Sequence, residues 1–251
     1  METKAHIIGV VGGSGGVGAS ALTAAIAVRA ARAGLRAACM DGDRLGGGLD
    51  VTLGVEQEGG VRWPDLAAAR GRIDGPELLR RLPSVDGVRV LSFDRARDVL
   101  LAAETTQEAL HALSQAVDVV VVDLPSPDHD VFGVLARSLD VLVLLAGSGI
   151  RDLAGASAVS EHLIRACSDA CPDESPEIWL CLRTNGRGSH FADTVAGALD
   201  LPLLAVVREE PSLAADVLHG LPPGSSAKGA LAAAADKVLA HCAVAVRRDA
   251  S

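Results

Sequence analysis

Tyrosine is missing from this chain, and aromatic residues of every kind make up only 2% of it. Proteins that hold single-stranded nucleic acid stack bases on aromatic rings, so that class of surface is excluded. Positive charge is scarce as well: 32 acidic residues face 23 basic ones, for a formal net charge of −9. Duplex binding driven by counterion release needs the reverse balance, and no nucleic-acid partner is expected. The five cysteines, Cys39, Cys167, Cys171, Cys181 and Cys242, include no C-x-x-C pair. Cys167 and Cys171 lie one helical turn apart, but no second ligand pair follows, so the set reads as buried thiols of a reducing cytosol. No apolar run reaches the length of a membrane span, and no signal peptide precedes the first apolar run. A cytoplasmic protein is expected. No G-x-S-x-G elbow occurs, which leaves a hydrolase triad without support.

What is present is aliphatic. Hydrophobic residues reach 49% with almost no aromatics, so the core must be built from Val, Leu and Ala. A length of 251 residues suits a single α/β domain over 1–251. Short Val-, Leu- and Ile-rich runs predict strands at 5–11, 35–40, 88–92, 117–122, 141–146, 178–183 and 203–207. Helix-length segments alternate with them at 21–33, 106–116, 151–166, 189–199 and 227–247. Val119-Val120-Val121-Val122 is apolar on both faces, as in a parallel sheet covered by helices. The alternation predicts a doubly wound α/β fold with a mostly parallel sheet and helices on both faces. The stretch 220–226, with two prolines and two glycines, is the loosest part and leads into the last helix. That helix has no aromatic anchor and few basic residues, Lys228 and Lys237 among them. It is expected to pack on the sheet, with membrane contact at most indirect.

The chemistry concentrates after the first strand. Gly13-Ser14-Gly15-Gly16-Val17-Gly18-Ala19-Ser20 follows the G-x-x-x-x-G-K-[ST] spacing, in which backbone N–H groups cradle nucleotide phosphates. Ala19 stands where the phosphate-reaching lysine belongs. The same glycines, Gly13-x-Gly15-x-x-Gly18, also fit a dinucleotide fingerprint, with Asp41 as the ribose acid of an NAD-binding oxidoreductase. Two features favour the triphosphate reading. Asp123 ends a buried strand, where P-loop proteins hold Mg²⁺, and Ser20 would give the same ion a hydroxyl. Asp41-Gly42-Asp43 runs into Arg44 and the glycine tract Gly46-Gly47-Gly48, which suits a switch that organises metal and water. His129, between Asp128 and Asp130, is expected to cap a helix.

The glycine loop, Asp-x-Asp and Asp-x-Pro together resemble the MinD/ParA group of P-loop NTPases, whose deviant loop reads K-G-G-x-G-K-[ST]. The lysine-less run at 15–20 is similar to the CpaE/TadZ branch, tied to Tad/Flp pilus assembly and polar localisation. Met40-Asp41-Gly42-Asp43 through Leu53-Gly54, then Gly60-Val61-Arg62-Trp63-Pro64-Asp65-Leu66, resembles actinobacterial Ssd-type septum-site-determining proteins, as do Leu201-Pro202-Leu203 and Arg208-Glu209-Glu210-Pro211.

The resemblance implies ATP and Mg²⁺ as cofactors, with Asp43 positioning the attacking water and Asp41 near the metal. It implies a homodimer and protein partners such as a pilus or secretion ATPase or other polar or septal proteins. Many CpaE-like proteins carry a receiver-like domain ahead of the loop; here it is expected to be absent, because the first strand begins a few residues into the chain. The group's signature lysine, which reaches a dimer partner's phosphates, is Ser14 here, and the second lysine is Ala19. A lost hydrogen bond to a charged group costs about 1.5–3 kcal/mol, so ATP affinity is expected to fall ten- to a hundred-fold or more. Hydrolysis, which rests on electrostatic stabilisation, is expected to be weak or nil. Arg44 is the best-placed substitute cation by sequence; Arg151, Arg183 and Arg208 also follow strands.

Overall fold

The computed structural model describes residues 5–67, 71–171, 175–186 and 191–249, with side chains described as far as residue 242. Its strands are β1 (His6–Gly12), β2 (Ala37–Asp41), β3 (Ser84–Val85), β4 (Val88–Leu91), β5 (Val119–Asp123), β6 (Val141–Gly147), β7 (Glu177–Thr184) and β8 (Leu203–Arg208). Its helices are α1 (Ala19–Arg32), α2 (Leu49–Leu53), α3 (Trp63–Leu66), α4 (Gly75–Arg81), α5 (Ala103–Ser114), α6 (Asp130–Ala136), α7 (Ile150–Ala170), α8 (Ala192–Leu199), α9 (Leu213–Leu218) and α10 (Ala230–Asp249).

The strands join one sheet in the order β3-β4-β2-β5-β1-β6-β7-β8. All pairings are parallel except the β3–β4 hairpin at one edge. From β1 the chain moves outward to β2 and β4, returns to insert β5, then continues on the other side of β1 with β6. That reversal opens a crevice at the carboxyl end of β1, where ligands bind in sheets of this kind.

Strand side chains alternate between two cores. Ile7 and Val11 of β1, Val120 and Val122 of β5, and Leu142 and Leu144 of β6 face the core closed by α3 to α8. Ile8, Val10, Val119, Val121, Val141 and Val143 face the core closed by α1, α2 and α10. The sheet is therefore wound on both faces, as its doubly apolar strands require. Each fully buried aliphatic side chain contributes about 1.5–3 kcal/mol, and alanines in α1 and α10 let these helices come close to the strands.

The final helix does pack on this body, through Leu231, Ala234, Ala235, Val238 and Cys242, and Asp236 pairs with Arg29 of α1 at 2.7 Å. It starts at Ala230, three residues later than the sequence pattern suggested. The expected helix at 189–199 is found as α8, and its first two positions lie outside the described residues. The side chains of Val244, Val246 and Arg247 lie outside the described ones. All five cysteines are free, and burial pushes the Cys167, Cys181 and Cys242 thiols up to about 11, 12 and 12, away from reactivity. Among the described residues, no helix is long and apolar enough to cross a membrane.

Candidate phosphate-binding site

Residues 13–18 leave the end of β1 and turn into α1. The Gly13 N–H donates to Leu145 O of β6 at 2.9 Å, and the Ser14 hydroxyl donates to Asp152 Oδ1 of α7 at 2.8 Å. A Cβ on Gly13 would lie 2.8 Å from the Ala156 Cβ, and one on Gly155 would lie 2.7 Å from Gly13 O. Loop and helix α7 thus meet at two positions that tolerate no side chain. Gly18 caps α1 at φ 103°, a left-handed conformation that glycine adopts without strain. Among the described residues, the N–H groups of Gly15, Gly16, Gly18, Ala19 and Ser20 donate no hydrogen bond. Unengaged amides at the positive end of a helix form an anion cradle.

Beside the cradle stand two acids on neighbouring strands. Asp41 of β2 and Asp123 of β5 are register partners, 1% and 4% exposed. The Ser20 hydroxyl lies near enough to the Asp123 carboxylate to favour its charged form. Burial pushes Asp123 up to about 7, against the lowering effect of the Ser20 hydroxyl, with the Asp43 charge adding to the rise. Burial also pushes Asp41 up to about 8, and the Asp123 charge adds to it. Two buried acids side by side fit a site that takes a cation. No set of three or more His, Cys, Asp or Glu side chains among the described residues converges to hold a metal by itself. Ser20 and Asp123 instead offer two hard oxygens, a donor set suited to a Mg²⁺ whose remaining ligands are phosphate and water oxygens.

Asp41 serves the following loop. Its Oδ1 accepts the Asp43 N–H and its Oδ2 the Leu49 N–H, both at 3.0 Å, so its carboxylate closes the segment 43–49. Asp43 Oδ1 accepts the Leu45 N–H at 3.2 Å in a local turn. Below, the Trp63 indole N–H donates to Asp41 O at 2.7 Å; this tryptophan is fully buried. The Arg62–Trp63 pair was visible in the sequence without a role. Arg62 reaches the carbonyls of Val55 and Glu58, and Trp63 props the turn that carries both acids.

The cations fall differently from the sequence expectation. Arg44 is turned to Asp98, at 2.7 Å, and makes no hydrogen bond to the loop. Arg183, at the end of β7, reaches the loop instead: its Nη1 donates to Val17 O at 2.9 Å and to Gly16 O at 3.4 Å. Its Nη2 pairs with Glu209 at 2.8 Å. Arg151 and Arg208 are exposed. A cavity of about 270 Å³, lined by Gly15, Gly16, Ser148, Arg183, Asn185 and Glu209, opens next to the cradle. A larger hollow of about 440 Å³ at Ile7, Gln107, His111 and Arg137 lies by the amino ends of the strands, away from this chemistry. His129 caps α6, accepting the Val131 N–H through Nδ1 at 3.3 Å.

The strand order separates the two readings of the glycine loop. In the dinucleotide fold β1 and β2 are neighbours, so the acid ending β2 sits beside the glycine turn. Here β5 lies between them and presents Asp123 there.

No protein-family model matches the chain. Two uncharacterized proteins of Mycobacterium tuberculosis are 33% identical over 214 residues, 85% of this chain; the chain spans 57% of their length. An uncharacterized ATP-binding protein of Methanocaldococcus jannaschii is 26% identical over 92% of this chain and 87% of its own. Among solved structures, a ParA family ATPase from Chlorobium tepidum superposes with a TM-score of 0.74 at 17% identity, covering 92% of this chain and 96% of that one. The septum site-determining protein MinD of Pyrococcus horikoshii, complexed with Mg-ADP, gives 0.73 at 22% identity, covering 93% of each chain. A chain of the MinC:MinD cell division protein complex of Aquifex aeolicus gives 0.70 at 19%, covering 94% of this chain and 96% of that one. The chain has the fold of the ParA/MinD P-loop ATPases.

Proposed function

We propose that residues 1–251 form one nucleotide-binding domain that acts as a slow or non-hydrolysing ATP switch of the CpaE/TadZ type. Its task would be positioning or assembly, at a Tad/Flp pilus or at the septum. The observation that carries this reading is the unengaged amide cradle beside the Ser20–Asp123 pair. The cradle would take the phosphates through the N–H groups of residues 15–20, and Ser20 and Asp123 would hold Mg²⁺. When bound, that ion neutralises charge on the phosphate oxygens. Asp43 would position water, and Asp41 would act through the loop it closes. With serine at 14 and alanine at 19, the chemical step loses its main electrostatic support, while conformational response to bound nucleotide does not depend on turnover.

The product of the switch would be a homodimer that recruits a pilus or secretion ATPase or another polar or septal protein. The net charge of −9 argues against nucleic acid, and the packing of Leu231, Ala235 and Val238 of α10 on the sheet supports membrane contact that is at most indirect. Calorimetric titration with ATP, with and without Mg²⁺ and with NADH as control, tests the reading, alongside light scattering for dimerisation. Magnesium-dependent ATP binding with dimer formation is the expected result. Failure to bind any nucleotide would leave a scaffold that works through its surfaces alone, and turnover at the rate of lysine-bearing ParA proteins would rule out a slow switch.

A further inference from the structure

We propose that Arg183 supplies the positive charge the phosphate loop lacks, acting from behind the loop through its peptide units. This rests on the reading of the loop as a nucleotide site. The guanidinium grips two successive carbonyls, Val17 O at 2.9 Å and Gly16 O at 3.4 Å. No peptide bond in the described chain is cis. In a trans peptide the N–H points opposite to its own carbonyl. The amides on the far side of these two units are those of Gly18 and Val17, and the Gly18 N–H is one of the unengaged donors of the cradle. A charged donor on a carbonyl polarises the peptide and strengthens the N–H across it as a donor. Arg183 therefore adds to the anion-binding power of the loop without touching the anion.

Glu209 sets the strength of this effect. It pairs with the other side of the guanidinium at 2.8 Å, and its own N–H is fixed to Thr184 O at 2.8 Å. The pair is partly exposed, with side chains 35% and 52% accessible, so its contribution to folding is small and either partner can be changed without loss of the fold. Removing the glutamate charge leaves the arginine field on the loop undiminished; removing the arginine leaves the cradle to the helix end alone.

The test is calorimetric titration of the full chain with MgATP and, as a probe without a base, with magnesium pyrophosphate. Arg183→Gln is expected to weaken both about ten-fold, Arg183→Lys to recover most of that loss, and Glu209→Gln to tighten both several-fold. Equal or tighter binding by Arg183→Gln would overturn the assignment and make the arginine a latch over the pocket. Weakening confined to MgATP, with pyrophosphate unchanged, would also overturn it and make Arg183 a base contact. Wild-type protein that binds neither ligand would overturn the nucleotide reading itself, and this assignment with it.

Discussion

The Ser14 hydroxyl is bonded to Asp152 Oδ1 at 2.8 Å, across 138 residues of chain, and ties the glycine loop to the first turn of α7. At the position where the family resemblance calls for a lysine, a short hydroxyl is joined to an acid. Ser14→Ala removes this part-buried bond at a cost of about 1 kcal/mol. For a domain of this size that lowers Tm by roughly 2–4 °C. Ser14→Lys, which offers Asp152 an ion pair, is expected to keep the wild-type Tm. Scanning calorimetry on the three proteins decides; an unchanged Tm in the alanine variant would mean that the bond contributes nothing.

Ala19 opens α1, within the cradle and one residue before Ser20. Ala19→Lys is expected to raise MgATP affinity about ten-fold or more, the inverse of a lost charge-assisted hydrogen bond. A cation at a helix N-terminus is unfavourable by about 0.3–1 kcal/mol, so the free variant should melt slightly lower than wild type. Tighter binding together with lower free stability is the expected pair of results, read by calorimetry and thermal melting. A lysine that stabilises the free protein and leaves affinity unchanged would contradict it.

Trp63 holds the Asp41 carbonyl through its indole N–H. Trp63→Phe keeps a ring but strips a buried carbonyl of its donor, at about 1–3 kcal/mol. The segment 43–49 hangs from the same aspartate, so protease sensitivity there should rise along with the loss of Tm. Limited proteolysis with mass mapping checks this, and an unaltered cleavage pattern would uncouple the tryptophan from the loop.

Asp41 and Asp123 give the free protein a pH dependence of defined sign. Both are raised by burial, to about 8 and about 7, so the folded state keeps protons that the unfolded chain has released. Their contribution is fully present below the ordinary carboxylate value near 4 and is lost as pH rises toward 8. Free protein is therefore expected to lose Tm between pH 5 and pH 8, roughly, and Asp123→Asn to flatten that slope. Parallel slopes in the two proteins would remove Asp123 from this account.

The sheet and the cradle were legible because their signals are local. Four consecutive valines define a covered strand, and glycines at 13, 15, 16 and 18 define a loop. The helices α2, α3, α4, α6 and α9 run four to seven residues each, too short for an amphipathic period to declare itself. The β3 strand has two residues and exists through its pairing with β4. Site partnerships were hidden for a different reason. Arg183 lies 166 residues from Val17, and strand order rather than spacing brings it to the loop. Arg44 follows Asp43 directly, yet Asp98, 54 residues away, takes its guanidinium. Gly155 could have been noticed as a glycine inside a long helix, a sign of close backbone approach.

The two tryptophans sit on opposite faces of the sheet. Trp63 lies against the turn that follows Asp41, while Trp179 of β7 meets His241 edge-on, ring centroids 4.4 Å apart, on the face of α10. With no tyrosine in the chain, emission carries these two indoles and no tyrosyl background. The molecule thus contains its own optical instrument: one indole bonded to the Asp41 carbonyl and a second, set apart, as an internal reference. Replacing Trp179 with phenylalanine would leave a single-channel sensor of loop state, readable in real time on unlabelled protein.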